Sequence, residues 1–157
     1  MYKDLVLKNR SYRRFYEHEK IEIPTLMELI DLARLSASGA NRQPLKYIVS
    51  ASEQNNKFIF PTLAWAGYLK DWDGPSEGER PSAYIIILGD KNISPSFGCD
   101  HGIAAQTILL GATERGFGGC MIASIQRDKL KDVLELENDY EILLVIALGK
   151  PKETVVI

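Results

Sequence analysis

Two cysteines and two histidines are the only thiol and imidazole side chains in the sequence. Cys99 and Cys120 stand far apart and form no CxxC pair, so neither a zinc site nor a redox dithiol is expected. They read as buried free thiols in a reducing compartment. No apolar run approaches the roughly 20 residues of a membrane span. The opening "MYKDLVLKNRSYRRF" lacks the apolar stretch and small-residue cleavage site of a secretory leader. A formal charge of −2 leaves no basic footprint for nucleic acid. These absences point to a cytoplasmic protein with neither nucleic acid nor membrane as partner. Hydrolytic machinery is missing too, with no GxSxG, HExxH or P-loop pattern. "CDHG", Cys99 to Gly102, sets Cys, Asp and His side by side, but neighbours along a helix point in different directions. Asp100 reads more simply as a helix N-cap with His101 in the first turn, and His18 as a surface residue among charges.

What remains is an ordinary globular composition, 45% hydrophobic and 25% charged over 157 residues. That suits one domain spanning 1–157, with a core of useful size. "EIPTLMELIDLARLSAS" is the clearest helix. Pro24 falls in its first turn, Leu26, Leu29, Ile30 and Ala33 keep helical spacing, and Gly39 is placed to stop it. "YKDLVLKN", "QRDKLKDVLEL" and "CDHGIAAQTILLGATERG" read as further helices. "NKFIF" through "PTLAWAGYLKDW" reads as helical segments broken at Pro61. "LKYIVSA", "AYIIILGD" and "EILLVIALGKP" read as strands, the second apolar enough to be covered on both faces. The expected class is α+β, a mixed central sheet flanked by helices. "GIAAQTILLGAT" is rich in small residues, which allow close helix approach either in the core or at a subunit contact.

Three polar stretches could carry chemistry. "NRSYRRF" gathers Arg10, Ser11 and Arg13, guanidinium forks beside a hydroxyl, which is equipment for a phosphate. A solvated basic stretch would look the same. "SGANRQP" carries Asn41 and Gln43, whose amides can read a planar ring edge bearing both C=O and N–H groups. They could equally cap the preceding helix. "GFGGCMIAS" leaves a helix through glycines and ends in Ala123 and Ser124, small enough to bring backbone N–H groups against a flat ligand. It lacks the strand–turn–helix setting of a dinucleotide loop. Together they suggest a grip on an anionic, planar cofactor that carries the reaction itself.

"RSYRRF", "SASGANRQPLKYIV", "DHGIAAQTILLGATERGFGGCMI" and the closing "ALGKP" resemble, in order and spacing, the motifs of the FMN-dependent nitroreductase family. The chain looks like one of its compact, short-insert members. The resemblance implies a nitroreductase-like fold and a homodimer with FMN in the subunit interface. Arg10 and Ser11 match positions that hold the phosphate and ribityl chain, and Arg13 the basic residue near the pyrimidine edge. Ser38, Gly39, Asn41 and Gln43 match the loop that reaches the flavin from the other subunit. Ile122, Ala123 and Ser124 match the segment facing flavin N5 and O4. No metal and no catalytic side chain are implied.

The implied activity is ping-pong transfer of hydride from NADH or NADPH, through flavin N5, to a small-molecule acceptor such as a nitroaromatic or quinone. A flavin-binding or sensing protein of the same fold is the alternative. Ala37 and Leu45 replace the proline and tryptophan usual in the family. The family tail, with its basic phosphate ligand, is expected to be short or missing in "KPKETVVI", where Lys150 or Lys152 could substitute.

Overall fold

Every residue of the isoleucine-rich segment Ala83–Asp90 is buried, because apolar layers cover both of its faces. A computed structural model describes residues 1–156. Its elements run α1 (Tyr2–Lys8), α2 (Ile23–Arg34), β1 (Leu45–Ser50), α3 (Glu53–Ile59), β2 (Ala83–Asp90), α4 (Asp100–Glu114), β3 (Gly118–Ile122), α5 (Arg127–Leu134) and β4 (Tyr140–Gly149). The strands form one sheet in the order β1-β2-β4-β3. Alternation along β2 divides the core: Ile85 and Ile87 face α2 and α4, whereas Tyr84, Ile86 and Leu88 face the opposite layer with Ile59, Trp65 and Leu130. In β4 the alternation slips. Ile87 pairs with Leu144 and Leu88 with Ile142, so Leu143 is bulged and Ile142 shares a face with Val145.

The expected mixed sheet is corrected in one respect. All pairings among the named strands are antiparallel. The only parallel pairing among the described residues is a single bridge, Ser11 to Gly119. Apolar patterning reports which face of a strand is buried and is blind to its direction.

α2 begins with Pro24 in its first turn and buries Leu26, Leu29 and Ala33 as its stripe requires. It ends at Arg34, before Gly39. The Ser36 hydroxyl lies 2.8 Å from that of Thr107 on α4, and Ser38 is already extended at φ −131°. The small residues of α4 serve the protomer's own core: Ala104, Ala105 and Ala112 are buried there. A Cβ on Gly111 would come within 2.7 Å of Leu32 on α2. The segment after Pro61 is not helical beyond the 3-10 turn Phe60–Thr62. It continues as turns and loop, with Ala66 at φ 36°. No described helix is long and apolar enough to cross a membrane, and no described cluster of His, Cys, Asp or Glu could hold a metal.

The thiols differ, which corrects the expectation that both are buried. Cys99 is exposed and Cys120 buried. Burial pushes the Cys120 thiol up to about 12, against the opposing pull of the Arg13 charge. Since the thiolate is the nucleophile, iodoacetamide at pH 8 should label one thiol per native chain, at Cys99, and both after denaturation. Mass spectrometry that finds Cys120 modified at a comparable rate in the native protein would refute its placement. The raised value also has a pH consequence. Above the ordinary thiol value of 9.0 the unfolded thiol ionises while the native one holds its proton, so this contribution to stability declines between about 9 and about 12.

Candidate functional site

Arg10, Ser11 and Arg13 reach their positions because β3 begins with glycines. Ser11 bridges Gly119, and the Tyr12 N–H donates to the Gly119 carbonyl at 3.0 Å. A Cβ on Gly118 would lie 2.5 Å from the Tyr12 ring, so a side chain there would push the segment away. The contact sets all three residues in the wall of an open cleft of about 930 Å³. Val6 of α1, Gln106 and Leu109 of α4, Met121 of β3, Tyr68 and Trp72 complete most of its surface.

The cleft is rich in donors. Arg10 is half-buried, and its Nη2 donates to the Val6 carbonyl at 2.7 Å, closing the last turn of α1. Its Nε is buried with no partner. A buried N–H without an acceptor is rare in folded proteins and calls for an explanation. Ser11 is exposed, and its carbonyl accepts from Arg13 Nη1 at 3.2 Å. The Arg13 guanidinium carbon stands 5.6 Å from the centre of the Tyr68 ring, within cation–π reach. Arg14 stands at the same distance from Trp72.

One acidic group enters this basic wall. A Glu153 carboxylate oxygen accepts from the backbone N–H of Arg13 at 2.5 Å and of Arg14 at 3.2 Å. Pairing of Phe15 with Pro151, and of Lys152 N–H with the Arg14 carbonyl at 3.0 Å, leads the C-terminal segment to this point. Neither expected lysine follows it into the cleft. Lys150 donates to the Gly116 carbonyl at 3.3 Å, and Lys152 pairs with Glu79 at 3.0 Å. Neither lines the cleft, so substitution by one of them, one of the alternatives open for the phosphate ligand, finds no support in the protomer.

Beside the cleft, sharing Arg13 and Met121 with it, lies a recess of about 150 Å³. Ile122, Ala123 and Ser124 line it together with Gly67 and Cys120. Ile122 is buried at the end of β3, while Ala123 and Ser124 are exposed. The Ser124 carbonyl accepts from the Ala64 N–H at 2.9 Å, which fixes this turn against the loop after Pro61.

The amide loop lies elsewhere in the protomer. Ser38 and Gly39 line a different pocket, with Ser94, Phe97 and Asp100, and Asn41 and Gln43 are exposed. Asp100 is not the N-cap of α4, a position taken by Cys99. Its buried carboxylate instead clamps the loop, accepting from the Ser38 hydroxyl at 2.5 Å and from the Gly39 N–H at 2.9 Å. Ser38 Oγ in turn accepts from the Gln43 N–H at 3.0 Å. Ala40, Asn41 and Gln43 have φ of 50°, 54° and 53°. Left-handed backbone is unfavourable for alanine and glutamine, so these conformations need such a clamp. Gln43 Nε2 donates to Asn41 Oδ1 at 2.7 Å, pairing the two amides at the surface. Tyr47 on β1 is raised above its usual value, by burial first and by the Asp100 charge second.

Sequence reasoning passed over Tyr68, Trp72, Gln106 and Glu153. The two aromatics fall in the segment read as helix, and Gln106 lies within the "DHGIAAQ" motif. Glu153 carries no local signal, since its partners are backbone groups at the other end of the chain.

An antiparallel sheet with helices packed on its faces, and a basic cleft against the strand at one edge, define an α+β protein of nitroreductase-like fold. The sequence model of the Nitroreductase family matches residues 75–150. A 4-nitrobenzoate reductase of Pseudomonas putida is 23% identical, the match covering 96% of this chain and 86% of the relative. MhqN of Bacillus subtilis, whose name places it among NAD(P)H nitroreductases, is also 23% identical over 94% of this chain and 87% of the relative. Among solved structures, a Nitroreductase Family Protein from Streptococcus pneumoniae superposes with TM-score 0.80 at 18% identity, covering all of this chain and 94% of its own. An FMN-dependent nitroreductase from Clostridium difficile superposes at 0.78 with 22% identity, covering 96% and 88%. The chain thus has a nitroreductase-like fold, and the sequence model of that family matches it over residues 75–150.

Proposed function

We propose that the protein is a homodimeric FMN-dependent oxidoreductase that takes reducing equivalents from NADH or NADPH and reduces a small oxidised acceptor, such as a nitroaromatic or a quinone. The observation that carries this reading is the meeting of Arg10, Ser11 and Arg13 in one cleft that adjoins the Ile122–Ser124 recess. The residues fit a flavin mononucleotide. The buried, partnerless Arg10 Nε and the exposed Ser11 hydroxyl are donors awaiting an anionic acceptor. When bound, FMN would supply the redox chemistry, taking hydride at N5 and passing electrons to the acceptor in ping-pong turnover.

The chain's own residues would bind, orient and stabilise. Arg10 and Ser11 would hold the phosphate by charge-assisted and neutral hydrogen bonds. Arg13 would place fixed positive charge where negative charge develops on reduction, acting electrostatically and without proton transfer. Glu153 would position rather than react, since it pins the backbone from which Arg13 and Arg14 project. Tyr68 and Trp72 would shield one wall from water. Asn41 and Gln43 would serve a second copy's cleft, because in their own protomer their loop opens on a different pocket. That division of labour is what makes the dimer part of the proposal.

The test is anaerobic absorbance of the protein reconstituted with FMN. Bound flavin should bleach on addition of NADH or NADPH and recover on addition of a quinone. Flavin that binds but is not reduced by either nucleotide would favour the binding or sensing alternative. Failure to bind flavin would reject both.

A further inference from the structure

A second cleft, of about 420 Å³, shares no lining residue with the flavin cleft. One wall is a short ribbon in which Phe15 N–H donates to the Glu79 carbonyl at 2.9 Å and Glu17 N–H to the Gly78 carbonyl at 3.3 Å. The Gly78 N–H donates in return to the Glu17 carboxylate. The other wall is α3 against the start of β2. Asn56 fastens it: Oδ1 accepts from the Ser50 hydroxyl at 2.7 Å, and Nδ2 donates to the Ser82 carbonyl at 2.9 Å. The walls are therefore built by specific bonds.

Two polar atoms on residues of this lining are left over. Arg80 Nε and Ser82 Oγ are both buried without a partner, and Ser82 as a whole is only 5% exposed. Arg80 makes no salt bridge to any described residue. Its guanidinium carbon sits 4.2 Å from the centre of the Phe60 ring, so stacking fixes the plane of the fork. Tyr84, 1% exposed, lines the same space. Burial first, and the Glu17 charge second, raise its phenol above the usual value, so at neutral pH it keeps its proton. Each such group in a folded protein calls for an explanation, an unseen ligand among them.

The donor set indicates what would satisfy it. A guanidinium can only donate, and a hydroxyl and a phenol can both donate, so the complement is a planar, anionic acceptor. A carboxylate matches the guanidinium fork in two parallel bonds. Glu17, Glu53 and Glu77 also line the cleft and disfavour a dianion, and Lys20, Lys57 and Arg80 together bring the lining to neutrality. We propose that this cleft binds a small monocarboxylate, held by Arg80 and Ser82. The site stands independently of the flavin reading, because no residue is common to both.

The experiment follows arginine Nε–H resonances of the full-length protein by NMR in carboxylate-free buffer. Acetate should shift the Arg80 signal saturably, and acetamide at equal concentration should leave it in place. Inorganic phosphate should be the weaker ligand at this signal. Arg80→Gln identifies the resonance and should abolish the acetate response at the neighbouring backbone amides. Ser82→Ala, which removes one atom and should leave the fold intact, is expected to weaken acetate about five- to tenfold. Arg10→Ala should leave acetate affinity unchanged, which separates this cleft from the flavin cleft. A linear, non-saturating shift, an equal response to acetamide, or wild-type affinity in Ser82→Ala would overturn the proposal. The first would leave the orphaned atoms to bound water, the second would show that charge is not read, and the third would remove Ser82 from the site.

Discussion

Replacing Arg10 by alanine should weaken FMN about ten- to a hundredfold while leaving riboflavin affinity nearly unchanged. The estimate rests on loss of a charge-assisted contact, worth about 1.5–3 kcal/mol. Two features of the cleft make Arg10 the sensitive position. Its Nε is buried without an acceptor, so that one atom is already desolvated at no cost to a bound phosphate. Lys150 and Lys152 are bonded elsewhere, to the Gly116 carbonyl and Glu79, and share none of the load. The substitution also removes the Nη2 bond to Val6, which loosens the end of α1. Both ligands meet the same loosened scaffold, so their ratio isolates the phosphate. Fluorescence titration of the two flavins against wild type and variant measures it. Equal losses for FMN and riboflavin would remove Arg10 from the phosphate role.

What the sequence revealed, and what it hid, follows from the range of the interactions involved. The α2 stripe was legible because helical spacing and burial are set within the segment itself. The β2 run was legible because an apolar segment of that length has nowhere to go but between layers. Residues 63–72 misled because their apolar spacing imitates a helix. Their conformation is held instead by distant partners: Arg13 against Tyr68, Arg14 against Trp72, and Ala64 on the Ser124 carbonyl. Asp100 misled for a subtler reason. A carboxylate at a helix start is the usual sign of a cap, and nothing local shows that it serves the loop at Ser38 and Gly39.

The donor inventory of the proposed flavin cleft was readable, since Arg10, Ser11 and Arg13 lie within four residues. Its acid was not. Glu153 reaches Arg13 only because the C-terminal segment pairs with residues 14–16. The small-residue helix α4 was half legible: small side chains announce close approach, but the partner is named only by the fold. That partner is α2, whose Leu29 and Leu32 fill the space a Cβ on Gly111 would need.

This packing sets the last expectation. Ala105→Trp should destabilise the protein by about 3 kcal/mol or more, at the upper end of overpacking effects. Ala105 is 0% exposed within a single protomer, in the cluster formed by α2, α4 and the sheet, so an indole there has no route to solvent. A small protein loses about 1–3 kcal/mol of stability per molar urea, so the unfolding midpoint should fall by about 1 M or more. FMN should be lost in parallel, because Gln106 and Leu109 on the same helix line the cleft proposed for it. Gly102→Ala is the control, since a Cβ there meets nothing within 4 Å and the folded protomer should tolerate it. Urea titration monitored by circular dichroism, with sedimentation of the same samples, distinguishes the two roles open to this helix. An Ala105→Trp protein that keeps its wild-type midpoint but sediments as a monomer would place Ala105 at a subunit contact and refute the core packing described here.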